Sequence, residues 1–352
     1  MNFSLNLNSA AMKKLTAILF LFTAALLTVP AQNKVDSIQF FIDEKPLTVT
    51  IASDFKKLFN TKKETPFQEA TVTMIFPDNP APLTEQIQIR ARGNFRKTNC
   101  YMPSLMLDFH NQTSPGFYQL DKLKMVSGCG TTARDEQLVL REYLAYKMFN
   151  IVSPLSFRVR LMRVSFEDSK GKIKKYTTWG FFIEDVDMMA KRNKYKEYET
   201  PTEQRRTEPA RMTLVSIFQY LIGNTDWSVP NFHNIKLLKP KADSLAAPAV
   251  VPYDFDFAGM VDAAYAAPAE IMGTESVKQR VYRGFSRPLE EVMSVITLLQ
   301  DKKEAFYKLI NEFELLSVSA RKDIIKYLDE FYQTVSNKRQ VENIFVENTR
   351  TN

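Results

Sequence analysis

The chain has 352 residues, 45% of them hydrophobic and 25% charged, with a formal net charge of +7. These proportions match a folded globular protein and exclude a disordered chain. The positive balance is too mild to argue for nucleic acid, because no basic run is interleaved with aromatic residues. With two His and two Cys in all, a zinc site of the usual spacing cannot be assembled.

Residues 12–31 have the order of a cleavable secretory signal. Lys13 and Lys14 lead into the apolar run Leu15 to Leu27, and Val29, Pro30 and Ala31 supply the cut site. A membrane span needs roughly 20 apolar residues, whereas this run is shorter and ends in Pro30. The expectation is a mature protein beginning near Gln32, with Met12 as an alternative start, located in a periplasm or secreted. No Cys lies near the cut, so a lipid anchor is not expected, and neither is a stable membrane span after cleavage. Loss of Lys13 and Lys14 lowers the charge to +5. An oxidising compartment permits Cys100 and Cys129 to pair, although two buried thiols fit the sequence equally well.

From Asp36 to about Phe109 the pattern is that of strands. Glu69 to Phe76 and Glu85 to Gly93 alternate apolar with polar residues, with a turn cluster between them. A short strand is expected around Leu123 to Val126. Glu136 to Phe149 then reads as a helix entered through Thr132 or Asp135 and apolar on nearly every side, so it should be buried. Glu142 lies on its stripe with Leu138, Ala145 and Phe149, where a carboxylate needs a partner to stay charged.

Two β runs follow, Ser156 to Phe166 and Tyr176 to Asp185, with Gly171 suited to the turn. Ala190 to Arg206 reads as a solvated loop. A helix is expected next, with Thr207 as cap, Pro209 in its first turn and Gly223 as a left-handed stop. Asn234 to Leu238 and Val250 to Phe257 read as two strands. From Ser286 the remainder is helical, ending in a polar tail. The expected organisation is a signal peptide over 1–31, a β-rich portion over 32–120, a core with C-terminal helices over 121–336 and the tail over 337–352.

The densest polar cluster is Asn224, Asp226, Asn231, His233 and Asn234, followed by Asp254 and Asp256. Carboxylates and amides that converge make an oxygen-rich site suited to Mg²⁺ or Mn²⁺ with a phosphate. Asp254 and Asp256, two apart on an expected strand, should point to one face. Individually, these residues could equally cap helices and turns. Their order matches a protein kinase: Lys124 on a strand, Glu142 on the next helix, Asp226 after a later helix, Asn231 or Asn234, then Asp254 or Asp256.

The blocks IRARGNFRKTNC, KLKMVSGCGTTARDEQLVLREYLAYKMF, WGFFIEDVD, FQYLIGNTDWSVPNFHNIKLL and VPYDFDFAGMV resemble the CotH family of spore-coat-type atypical secretory kinases, especially its exported bacterial branch. The resemblance runs from about Arg90 to Val261, and its most specific part is N-x-D…HN…P-x-D-x-D. It implies an α+β, atypical protein-kinase-like fold with a β-rich N-terminal portion and a helical C-terminal portion. It also implies ATP and a divalent metal as cofactors and phosphate transfer to a protein Ser or Thr.

Residue by residue, the resemblance implies Asp226 as the catalytic base and Asp254 or Asp256 as metal ligand. Asn234 matches the family's amide, whereas kinase spacing favours Asn231. Glu184 resembles the segment that meets the nucleotide base, and Lys124 with Glu142 would form the phosphate-holding ion pair. Met102 and Pro103 stand where a pair of basic residues is common. No G-x-G-x-x-G occurs, so Arg90, Arg92 or Lys124 would have to hold the phosphates by side-chain charge.

Three readings follow. The first is an exported phosphotransferase acting on a protein substrate. The second is a catalytically degenerate pseudokinase that binds an envelope or secreted partner. The third, a metal-dependent glycosyltransferase or phosphohydrolase, is opposed by the lack of a β-Gly-helix phosphate signal.

Overall fold

Alternation of apolar residues in the first third of the chain builds a barrel. The computed structural model describes residues 40–110, 117, 120–268 and 273–349; the expected signal segment lies outside these. Strand β1 (Leu47–Ser53) turns Leu47, Val49 and Ile51 inward, and β2 (Gln68–Phe76) does the same with Ala70, Val72 and Met74. With β3 (Asn79–Arg92), β4 (Ser104–Asp108), β5 (Lys122–Ser127), β6 (Val159–Asp168) and β7 (Tyr176–Ile183) they close in the order β1-β2-β3-β4-β5-β7-β6. The closing pair is β1 with β6, the one parallel pairing in the ring. Closure leaves no sheet edge unpaired.

This barrel overturns the expected kinase-like fold. Strands from both sides of residue 120 enter one ring of seven, which is not a bilobal arrangement, and the helices lie mainly after it. Alternation shows that each strand has a buried face, but an open and a closed sheet bury the same face. The closing contact joins segments more than a hundred residues apart, beyond the reach of any local signal.

The short helices α1 (Phe55–Thr61) and α2 (Phe95–Asn99) interrupt the strands. Helix α3 (Ala133–Val152) leans on β7 and β6. Thr132 caps it: its hydroxyl accepts from Asp135 N–H while the Asp135 carboxylate accepts from Thr132 N–H. With Leu138, Leu140, Leu144, Tyr146, Met148 and Phe149 buried, α3 is the centre of a second core. That core also contains α5 (Pro209–Ile222), α6 (Leu289–Asp301), α7 (Lys303–Asn311) and α8 (Val318–Val335).

A small sheet of β8 (Tyr195–Glu197), β9 (Ile235–Pro240) and β10 (Ala249–Pro252) adds to this core. The supposed loop over 190–206 therefore contains β8, and α4 (Val186–Arg192) runs into its start. The polar tail also folds. Helix α9 (Lys338–Glu342) and the π-turn Asn343–Glu347 bury Val341 and Phe345, which stand four residues apart on one helix face. No helix among the described residues is long and apolar enough to cross a membrane.

Candidate functional site

Helix α5 delivers the central residue. Glu208 caps it by accepting from Ala210 and Arg211 N–H, one position after the expected Thr207, and Gly223 ends it at φ +68°. That left-handed angle suits glycine. Asn224 is then buried against Gln219, and its Oδ1 accepts from Asp226 N–H at 3.0 Å, which fixes the turn.

The Asp226 carboxylate is held from two sides. Asn234 Nδ2 donates to Oδ2 at 3.0 Å and to the Asp226 carbonyl at 2.8 Å, while His233 Nε2 lies 2.7 Å from Oδ1. Backbone bonds between Ser228 and His233 pin the intervening loop. Phe232 and Asn234 both take left-handed backbone angles, φ +48° and +52°. Asn tolerates this region, but Phe does so only under constraint, and such strain collects at functional sites.

Asp254 and Asp256 do not lie on a strand, as expected, since β10 stops at Pro252 and Asp254 has φ +62°. Both still line one cleft, and the cause is Phe255. Its fully buried ring packs on Tyr146 at 4.7 Å and on Phe218 at 6.2 Å, while Asp254 N–H donates to Tyr146 Oη. Anchoring the middle residue in the helical core turns its neighbours toward the cleft.

The cation that neutralises this site is Arg96, which sequence reasoning passed over. It sits on α2, is nearly fully buried, and donates to Glu142 Oε2 at 2.8 Å, to Asp256 Oδ2 at 3.3 Å and to the Ser127 carbonyl at 2.8 Å. Tyr265 Oη adds a bond to Asp256 at 3.2 Å. Burial opposes the charge on Arg96, but Tyr265, Glu142 and Asp256 together outweigh it and raise its pKa. Burial raises the Glu142 carboxyl well above its usual value, with Arg96 opposing. A buried glutamate on a helix was the available signal that a cation had to be near.

The expected pair of Lys124 with Glu142 is therefore not formed; Arg96 takes that place. Lys124 sits half-buried on β5, its pKa lowered by burial and by Arg92. Glu184 is gripped by Arg192 at 2.8 and 2.9 Å and by the Arg158 N–H, away from the cleft. Arg90 lies with its guanidinium 4.7 Å from the Phe67 ring centre. Of the expected nucleotide-binding residues, Arg92 alone lines the cleft.

The cleft has a volume of roughly 460 Å³ and gathers Arg92, Arg96, Asp226, Asn231, His233, Asn234, Asp254 and Asp256. Asp254 is its least satisfied group. Among the described residues its carboxylate has no hydrogen-bond or ion-pair partner, and burial followed by the charge of Asp256 pushes its pKa up to about 6. An unpartnered carboxylate beside a second one fits a hard divalent cation. Asn231 stands exposed on the same wall, and Asn234 has its Oδ1 to offer.

Cys100 and Cys129 form a disulfide, with Cα atoms 4.6 Å apart. It joins the C-cap of α2 to the loop just past Ser127, whose carbonyl Arg96 binds. Apart from the cleft, Asp108, His110 and Asp121 bring ligand atoms within 4.8 Å of one another at the ends of β4 and β5, a grouping that sequence distance concealed. Compared with models of known protein families and with curated protein sequences, the chain matches none.

Proposed function

We propose that this chain is an exported, divalent-cation-dependent phosphotransferase of CotH type, moving phosphate from ATP to a protein Ser or Thr. The observation that carries the reading is the placement of Asp226, oriented by Asn234 and His233, in one cleft with the unpartnered carboxylate of Asp254. In this reading Asp226 accepts the proton of the acceptor hydroxyl, and Asn234 keeps its carboxylate aimed while that proton arrives. Asp254 and Asp256, with Asn231 or Asn234, would hold Mg²⁺ or Mn²⁺. Bound there, the cation would offset charge on the phosphate oxygens. Arg92 adds side-chain charge where other sites use a glycine loop. The disulfide is compatible with a periplasmic or secreted location.

The test is transfer of labelled phosphate from ATP to Ser-containing protein in the presence of Mn²⁺. Asp226→Ala should lower the rate by at least about a hundredfold while leaving nucleotide binding intact. Equal transfer by the variant would remove Asp226 from this role, and no transfer or ATP binding by the parent chain would end the phosphotransferase reading.

A binding protein built on a degenerate site is the second reading. It is favoured by the dispersal of the nucleotide set: Glu142 is locked under Arg96 and Glu184 under Arg192. It predicts full cellular function for stable, exported Asp226→Ala protein.

A further inference from the structure

Past Asp256 the chain loops away and then returns to the same carboxylate. Gly259 N–H donates to the Gly223 carbonyl and Met260 N–H to that of Ile222, so the start of this loop is fastened to the end of α5, just ahead of Asp226. Asp262 pairs with Lys278 at 2.7 Å, and three residues later Tyr265 reaches back to Asp256. Its half-buried ring is stacked on Phe95 at 5.1 Å and lies 6.0 Å from the Phe257 ring, and both of those phenylalanines line the cleft.

The Tyr265 hydroxyl is engaged on both sides. It accepts from Arg96 Nη2 at 3.2 Å and donates to Asp256 Oδ2 at 3.2 Å. Arg96 Nε reaches that same Oδ2 at 3.3 Å. Both bonds to Asp256 therefore fall on one oxygen. Among the described residues Oδ1 has no hydrogen-bond or ion-pair partner, and Asp256 lines the cleft with Asp254. Arg96 alone would hold Asp256 loosely, because its guanidinium is shared with Glu142 and the Ser127 carbonyl, and the terminal torsion of an aspartate is soft. A second donor to Oδ2, brought from another part of the chain, fixes the plane of the carboxylate.

We infer that Tyr265 is a positioning residue for the cation site: it holds Asp256 by Oδ2 so that Oδ1 stands ready with the unpartnered carboxylate of Asp254, and docking of residues 257–268 is coupled to cation binding. The inference rests on the reading of Asp254 and Asp256 as cation ligands and adds regulation to it, since whatever loosens this segment weakens the site. Coupling of this kind is reciprocal, so a bound cation in turn holds the segment down. A hydroxyl that competed with the cation for Asp256 would act in the opposite sense, and the unengaged Oδ1 argues against it.

Mn²⁺ binding would be measured by calorimetry on the full chain and on Tyr265→Phe, with hydrogen exchange of residues 257–268 followed by mass spectrometry with and without Mn²⁺. Tyr265→Phe keeps the stacked ring and removes only the hydroxyl. Its Mn²⁺ affinity should fall at least about tenfold, the scale on which groups that orient a metal ligand act. A merely structural role would lower the urea midpoint without moving the affinity of the protein that remains folded. In the parent chain Mn²⁺ should slow exchange across 257–268, and in Tyr265→Phe it should do so much less. Affinity that is unchanged or raised in Tyr265→Phe, or exchange in the parent that is indifferent to Mn²⁺, would overturn the inference. Absence of any Mn²⁺ binding by the parent would overturn it together with the cation site. Tyr265-dependent Mn²⁺ binding without ATP binding or phosphate transfer would uphold it and count against the phosphotransferase reading alone.

Discussion

Arg96 reaches Asp256 from a helix of five residues, with Nε 3.3 Å from the carboxylate, and the same guanidinium holds the fully buried Glu142. A helix so short has little stability of its own. The position of Arg96 is set by its tertiary contacts, and through it the cleft carboxylates are joined to the α3 core.

Replacing Arg96 by Ala would leave Glu142 and Asp256 buried without their cation. Removing one partner of such a group costs about 3–5 kcal/mol, so the urea midpoint should drop sharply. Arg96→Lys keeps the charge but cannot bridge the same acceptors at once, and it should recover only part of the loss. An unchanged midpoint for Arg96→Ala would show that the bridge does not hold the fold.

The Cys100–Cys129 disulfide closes a loop with a sequence separation of 29 and fixes the end of α2. Its removal by Cys→Ala at both positions should cost about 2–4 kcal/mol. Because Arg96 loses its tether, Mn²⁺ affinity should weaken as well, which calorimetry under oxidising and reducing conditions can compare. Equal affinity in both states would show that the disulfide acts on the fold without reaching the cleft.

Asp254 should leave a signature in pH. Its pKa is raised from 3.8 to about 6 in the folded chain, so between those values the folded state holds the extra proton. By linkage the contribution of this group to stability falls as pH rises from about 4 to about 6, then levels off. Asp254→Asn removes that dependence. In cation-free protein the stability gained by the variant over the parent should therefore grow across this range; a constant difference would contradict the raised value. Cation affinity should move the other way, rising as Asp254 ionises.

Much of the site was legible because its signals are local. Gly223 marks the end of α5, Thr132 marks the start of α3, and Asp226 to Asn234 stand within one turn of chain. The convergence of Asp254 and Asp256 on the cleft was also anticipated, although for the wrong reason: the burial of Phe255 aims them, and the strand stops before them. What stayed hidden depends on distance along the chain. Arg96 meets Glu142 46 residues later and Asp256 160 residues later. The nearest sequence substitute, Lys124, satisfied the order of kinase parts without making the contact. Barrel closure failed for the same reason, because nothing in β1 announces β6 as its neighbour.

The central claim is that Asp254 and its neighbours form a cation site that serves ATP. Calorimetric titration of Mn²⁺ and ATP into the full chain, repeated on Asp254→Asn, tests it most directly. The account predicts Mn²⁺-dependent ATP binding in the parent and at least a tenfold loss in the variant, the usual scale for a removed charged ligand group. ATP binding that ignores Mn²⁺, or is unchanged by Asp254→Asn, would contradict it.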